Sequence, residues 1–267
     1  MALLETDNLT VTFGGLRAVD DVSIKIDRGQ LVGLIGPNGA GKTTFIDALT
    51  GFVPMTGRIH FDGRDLTSAG PHDRARAGMV RTWQSLELFD DLTVRENLRV
   101  AAERSSAKGF ILDLVAPNRT RVVPAVEDAL TLLELQDVAQ RMPSELSQGQ
   151  RKLVGVARAL AASPRLVLMD EPAAGLDTAE SQDLGRRLRH LVATGTTIFL
   201  IDHDMGLVLN VCDYLYVIEF GRLIAEGTPA DIRANERVIA AYLGEAAREQ
   251  IEEVKADLAS VPIDLEP

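Results

Sequence analysis

Apolar residues alternate with polar ones at Val22, Ile24 and Ile26, whereas Leu31-Val32-Gly33-Leu34-Ile35 is apolar without a break. The first pattern is that of a strand with one face on a core, and the second that of a strand covered on both faces in a parallel sheet. Residues 3–13 and 18–26 therefore read as strands, Arg28-Gly29 as a turn, and 31–35 as a buried strand. A short helix ending near Gly51 follows, then a strand at Gly57–Phe61 and a hairpin turn at Asp62-Gly63. From Pro71 to about Ser163 the pattern is predominantly helical. Thr93-Val94-Arg95-Glu96 has the form of a capping box, and Val126 to Leu135 carries apolar residues at helical spacing. Strand patterns resume at Leu166–Met169, Thr197–Ile201 and Tyr214–Ile218, with a helical stretch from Thr178 to Val192 among them. The alternation predicts an α/β sheet with a helical subdomain inserted at about residues 85–163.

Composition narrows the class. The apolar runs fall far short of the roughly 18 to 20 residues of a membrane-spanning helix. The N-terminus, Met1-Ala2-Leu3-Leu4-Glu5, lacks the basic stretch and apolar core of a secretory signal. A lone cysteine, Cys212, excludes a disulfide framework and a cysteine metal cluster, and no neighbour of it activates a thiolate. These features place the expected location in the cytoplasm. With 28 basic and 39 acidic side chains the net charge is −11, which argues against a nucleic-acid surface. Part of that charge is local. Residues 245–267 hold seven acids (Glu245, Glu249, Glu252, Glu253, Asp257, Asp264, Glu266) and two bases (Arg248, Lys255), and read as an acidic tail.

The chemistry starts after the buried strand. Gly36-Pro37-Asn38-Gly39-Ala40-Gly41-Lys42-Thr43, followed by Thr44, fits G-x-x-x-x-G-K-[ST] between a strand and a helix. Glycines let backbone N–H groups converge on an anion, and the helix N-terminus adds free donors and a favourable dipole. Lys42 supplies charge to the β and γ phosphates, and the Thr43 hydroxyl is placed for Mg²⁺. A second buried strand, Leu166-Val167-Leu168-Met169, leaves the core at Asp170-Glu171. Asp170 would hold Mg²⁺ through water, and Glu171 would deprotonate the attacking water. Between them, Ser147 and Gly149 in Leu146-Ser147-Gln148-Gly149-Gln150 open a helix and offer a hydroxyl and exposed N–H groups without a lysine. By itself that stretch is a capped helix.

In order along the chain stand the phosphate loop, Arg81-Thr82-Trp83-Gln84, Leu146 to Gln150, Asp170-Glu171-Pro172, Ala173-Ala174-Gly175-Leu176-Asp177, and Ile201-Asp202-His203-Asp204. Residues 3–244 thereby resemble the nucleotide-binding subunit of ATP-binding cassette (ABC) transporters. The resemblance implies a P-loop NTPase sheet core, an antiparallel β subdomain and an inserted α-helical signature subdomain. It assigns Gln84 to Mg²⁺ and the γ phosphate, His203 to that phosphate and the attacking water, and Ser147, Gly149 and Gln150 to the phosphates of an ATP on a second subunit. Asp177 would lie at that subunit interface, and Phe13 either stacks on adenine or belongs to the core. Gln148 departs from the family, which has glycine there; Ser147 and Gly149 are kept.

Phe13-Gly14-Gly15-Leu16-Arg17-Ala18-Val19, Glu171 to Leu176, His203-Asp204-Met205 and the segments Glu226 to Pro229 and Val238 to Gly244 look like the branched-chain amino-acid importer group. That group carries an insertion after the glutamine loop, here Ala101 to Val123. Its members imply a second cassette subunit, transmembrane permease subunits docked on Ser85 to Asn97, a substrate-binding protein, and a position on the inner face of the membrane. Cassettes for lipid or lipopolysaccharide export and for urea uptake share the end motifs, so the cargo stays open. A non-transport ATPase with a long coiled coil would need more than the roughly 60 residues between Gln84 and Leu146.

Overall fold

The apolar run at residues 31–35 forms an inner strand of a six-stranded sheet. The computed structural model describes residues 2–82, 88–103 and 123–243, so Gln84, most of the expected insertion and the acidic tail lie outside the described residues. The strands are β1 (Ala2–Phe13), β2 (Leu16–Val22), β3 (Lys25–Asp27), β4 (Leu31–Ile35), β5 (Thr56–Phe61), β6 (Arg64–Asp65), β7 (Met79–Arg81), β8 (Leu166–Asp170), β9 (Thr197–Ile201), β10 (Tyr214–Glu219) and β11 (Arg222–Gly227). The helices are α1 (Lys42–Thr50), α2 (Pro71–Ala77), α3 (Val94–Ala102), α4 (Pro124–Leu132), α5 (Gln148–Ala161), α6 (Thr178–Ala193), α7 (Met205–Val211), α8 (Pro229–Ala234) and α9 (Glu236–Leu243).

Two compact units divide the chain at Arg81/Thr82 and Pro164/Arg165. The first holds two sheets. In the larger, of order β11-β10-β4-β9-β8-β7, every neighbouring pair is parallel except β10–β11. Every residue of β4, β8 and β9 is buried, as their unbroken apolar runs require. The smaller sheet is antiparallel, with order β2-β1-β5-β6 and β3 also on β1. One apolar cluster takes Leu3, Leu9, Ile59 and Phe61 from this sheet, Phe45 and Leu49 from α1, and Leu34, Phe199 and Ile201 from the other. The Phe45 and Phe199 rings meet edge to face at 6.2 Å between centroids.

Three elements differ from the sequence reading. The single strand expected at 18–26 is two strands, because the Thr6 hydroxyl accepts the Ile24 N–H at 2.9 Å and the Ser23 hydroxyl accepts the Asn8 N–H at 2.8 Å, replacing ladder bonds with side-chain ones. β7 lies in a stretch read as helical. Three residues are too short to show a period, and β7 exists by pairing with Leu166–Leu168. β11 closes an antiparallel hairpin at the sheet edge, where exposure blurs the apolar pattern.

In the second unit α3, α4 and α5 pack together and bury Leu98, Leu130 and Val154. The Thr93 capping box forms as read. Asn97, wholly buried, gives its amide N–H groups to the carbonyls of Phe89, Leu92 and Thr93 and accepts the Phe89 N–H, which fixes the loop before α3.

One side chain holds the far end of the phosphate-loop helix. The last carbonyls of α1 have no partners within the helix. Arg74 of α2, 3% exposed, donates to Ala48 O at 2.5 Å and Leu49 O at 2.9 Å, and also to Ala69 O and Thr67 O at 2.8 and 3.2 Å. Arg74→Met keeps the aliphatic stem and strands Leu49 O, whereas Ala48 O still accepts the Gly51 N–H at 3.2 Å. The substitution should destabilise the protein by about 2–4 kcal/mol, read as a lower urea midpoint at unchanged slope.

Candidate functional site

β4 ends at Ile35 and α1 starts at Lys42, so residues 36–41 must turn the chain within a short span. Two glycines make this possible. Gly36 has φ 156°, and a Cβ there would sit 2.1 Å from Ile218 O; Gly41 has φ 104°, and its Cβ would sit 2.2 Å from Ala18 O. No L side chain fits either place. Ala40 is buried, Asn38 and Gly39 are exposed, and Pro37 is half-buried. The first turn of α1 presents Thr43, exposed, and Thr44, half-buried.

Lys42 is 8% exposed and donates to Gly36 O at 2.7 Å and Pro37 O at 2.9 Å. Burial lowers its pKa, while the nearby carboxylates of Glu171 and Asp170 pull it back up. The folded chain thus brings Lys42 into the field of both strand-end acids. Asp170, 2% exposed, closes β8. Its Oδ2 accepts from Arg81 at 2.8 Å, and the same guanidinium also pairs with Asp47 of α1. Its Oδ1 is buried without a hydrogen-bond partner. Burial pushes the Asp170 carboxyl up and Arg81 works against that shift.

Glu171 has φ 50°, a conformation costly for a non-glycine residue and characteristic of functional sites. Its N–H donates to Ile201 O at 2.7 Å, tying the loop after β8 to the end of β9. His203 Nδ1 lies 3.9 Å from the Glu171 carboxylate and 3.7 Å from that of Asp202. Its ring is 59% exposed, so it is no core histidine.

The remaining candidates fall elsewhere. Ser147 caps α5, accepting the Gln150 N–H at 3.2 Å while Gln150 Oε1 accepts the Ser147 N–H at 3.0 Å. Ser147 and Gln148 are exposed and Gly149 is half-buried. These residues belong to the second unit and Lys42 to the first. Asp177 caps α6 through the Glu180 N–H at 2.8 Å and is exposed. Phe13 ends β1 opposite Leu16 and is 50% exposed, so its ring is not a core ring.

Three residues near the site drew no role in the sequence reading, although each stands in a stretch that carries the resemblance. Arg81 bridges α1 and β8, and nothing in the spacing of a lone arginine marks it. Asp202, wholly buried, accepts His203 N–H at 2.8 Å and Asp204 N–H at 3.0 Å on one oxygen and Ala173 N–H at 2.9 Å on the other. Burial raises its pKa and those backbone donors lower it. The rule that found Asp170, an acid closing an apolar strand, applies equally to Asp202 after Thr197–Ile201. Tyr242 of α9 turns its phenol toward the Gly36 backbone, and burial pushes that phenol well above its ordinary range.

Comparison with known proteins agrees with this geometry. An ABC transporter family profile matches residues 19–174. A profile described as branched-chain amino acid ATP-binding cassette transporter matches residues 222–248. The chain is 42% identical to the high-affinity branched-chain amino acid transport ATP-binding protein BraF of Pseudomonas aeruginosa, over 91% of this chain and 98% of BraF. It is 41% identical, over the same shares, to LivG of Escherichia coli strain K12, which bears the same description. A solved nucleotide-free ATP-binding cassette from an ABC transporter has a TM-score of 0.80 at 35% identity, covering 92% of this chain and all of that one. The chain belongs to the ABC transporter family and is an ATP-binding cassette that hydrolyses ATP. Its P-loop α/β fold is the fold of those cassettes.

Asp202→Asn tests the bridge between the loops after β8 and β9. A carboxylate accepts on both oxygens, whereas an amide must turn its NH₂ toward either the Ala173 N–H or the pair from His203 and Asp204. The variant should lose roughly 1–3 kcal/mol in urea unfolding. Its ATP hydrolysis should fall further than its ADP affinity measured by calorimetry.

Proposed function

We propose that the chain is the ATPase subunit of an importer for branched-chain or related amino acids, acting on a membrane permease. The observation that supports the chemistry most directly is the cluster of Lys42, Asp170, Glu171 and His203 at the ends of β4, β8 and β9. In this reading the phosphate-loop N–H groups and Lys42 hold the β and γ phosphates, with Phe13 on the base. Glu171 takes the proton of the attacking water and His203 steadies that water and the γ phosphate. Asp202 positions His203 without touching the nucleotide.

Mg²⁺ fits the donors present. Among the described residues no group of three or more His, Cys, Asp or Glu side chains could hold a metal by itself. A hard oxygen set completed by phosphates and water is how Mg²⁺ is usually bound. The Thr43 hydroxyl would supply one protein oxygen, the unpartnered Oδ1 of Asp170 would hold the ion through water, and Gln84 would supply another. Bound there, the ion would neutralise charge developing on the β and γ phosphates.

A loop with lysine but no opposing clamp, and a Ser-Gly helix start without a lysine, support a site shared between two cassettes. Ser147, Gly149 and Gln150 of one subunit then close over the ATP of another, with Asp177 at the interface. A dimeric cassette has been solved whose sequence is 22% identical, a likeness that speaks to the fold alone. Among the described residues no helix is long and apolar enough to cross a membrane, so the cassette would reach the inner face through permease subunits, with a substrate-binding protein outside. The domain division follows the same reading: residues 1–244 as the ATPase domain with the helical insertion at about 85–163, and 245–267 as an acidic tail. The cargo rests on BraF, LivG and the profile match at the C-terminal end.

Glu171→Gln removes the base and should lower steady-state ATPase activity at least about a hundredfold while ATP still binds. Saturated with MgATP, the same variant should sediment as a dimer; a monomer would leave the shared site without support. The complex purified with its permease subunits and reconstituted in vesicles should raise its ATPase rate with leucine and binding protein. Stimulation by lipid or urea instead would overturn the cargo assignment.

A further inference from the structure

The hairpin joining β10 to β11 closes at Phe220-Gly221, with Glu219 paired to Arg222 across it. Both turn residues have positive φ, 46° and 79°. Tight hairpin turns of this kind favour Asn-Gly. Phenylalanine is doubly unsuited to the place. A bulky residue is a genuine outlier at positive φ, and the Phe220 ring is 85% exposed, the highest value among the exposed large apolar side chains of the described residues. Strain retained at such a position points to a use.

The turn is anchored on the phosphate loop. Gly221 N–H donates to Ala40 O at 2.9 Å, and Gly221 O accepts the Asp20 N–H at 2.8 Å. Arg222 next to it donates to Asp20 Oδ2 at 2.8 and 2.6 Å, and Arg17 donates to Asp20 Oδ1 at 2.9 Å. A Cβ on Gly221 would stand 2.9 Å from Ala18 O, so the turn presses directly on β2. The turn also follows the carboxyl end of β10, which pairs with β4, whose own carboxyl end is the loop. Ligands of open α/β sheets bind outside the carboxyl ends of the strands.

We propose that Phe220 is a nucleoside-contacting residue, its ring an apolar wall for the base and sugar of the ATP whose phosphates the Gly36–Thr43 loop holds. This rests on the phosphate-loop reading. Among the described residues of this unit, the exposed large apolar side chains are Phe13, Leu16, Phe52 and Phe220. Phe52 lies past the C-terminus of α1, a helix length from the loop. Phe13 and Leu16 pair across the turn that leads into β2, and Phe220 stands on the hairpin bonded to the same strand. Anchored phosphates leave the nucleoside to run past these groups, and burying their apolar surface rewards it.

Phe220→Asn separates a nucleoside contact from a structural role, because it gives the turn its favoured residue and removes the ring. The urea midpoint of the nucleotide-free variant should equal or exceed that of the unaltered protein. Its calorimetric Kd for ADP should rise about three- to tenfold, the range of one aromatic contact. Binding of inorganic tripolyphosphate should be unchanged. Unaltered ADP affinity overturns the proposal, and so does equal weakening of ADP and tripolyphosphate, which would mean a disturbed loop. Lys42→Ala is measured alongside. If it too keeps full ADP affinity, the phosphate-loop reading fails; if it loses affinity while Phe220→Asn does not, only the role of Phe220 falls.

Discussion

Backbone pressed on backbone shapes the nucleotide loop. The carbonyl oxygens of Ala18 and Ile218 stand where Cβ atoms of Gly41 and Gly36 would be, so the loop is moulded by two strands rather than by its own side chains. An anion is best met by N–H groups that cannot relax away from it, and this packing leaves them nowhere to go. The same demand for a rigid mould explains the neighbouring devices. Arg74 satisfies the carbonyls at the far end of α1, and Arg81 ties α1 to β8 through Asp47 and Asp170. The helix that begins with Lys42 is therefore held at both ends.

Charges accumulate on this mould at a cost. Lys42, Asp170 and Asp202 are all nearly or wholly buried, and burial alone disfavours the charged form of each. The compensation differs from one to the next. Lys42 turns back on the carbonyls of its own loop, Asp202 consumes three backbone donors, and Asp170 has Arg81 on one oxygen and nothing on the other.

Much of this was legible in the residues. Unbroken apolar runs located β4, β8 and β9, because strands buried on both faces must read that way, and glycine spacing located the loop between β4 and α1. The edges were less legible. β7 and β11 owe their strand geometry to a neighbour's backbone, and the break between β2 and β3 owes its place to the Thr6 and Ser23 hydroxyls, none of which leaves a period in the sequence. Within the site, the residues whose chemistry is exerted on a nucleotide stood out by motif. Those acting on other protein groups did not: Arg81, Asp202 and Tyr242 stand in stretches that carry the resemblance yet drew no role of their own, and Tyr242 lies more than two hundred positions from the Gly36 it faces.

The order in which the chain is made gives the mould a further meaning. The loop at residues 36–43 is made well before its partners, because β4 is flanked by β9 and β10, and the loop itself bonds Gly221. Until the chain has grown through Thr197–Ile201 the apolar strand 31–35 has neither neighbour, and until Tyr214–Glu219 it has only one. Such a nascent chain must carry an uncovered apolar strand while more than a hundred further residues are added, and the sheet closes around a segment made well before its neighbours. A chain stopped before Thr197 would therefore leave both edges of strand 31–35 unpaired and the loop without its Gly221 bond.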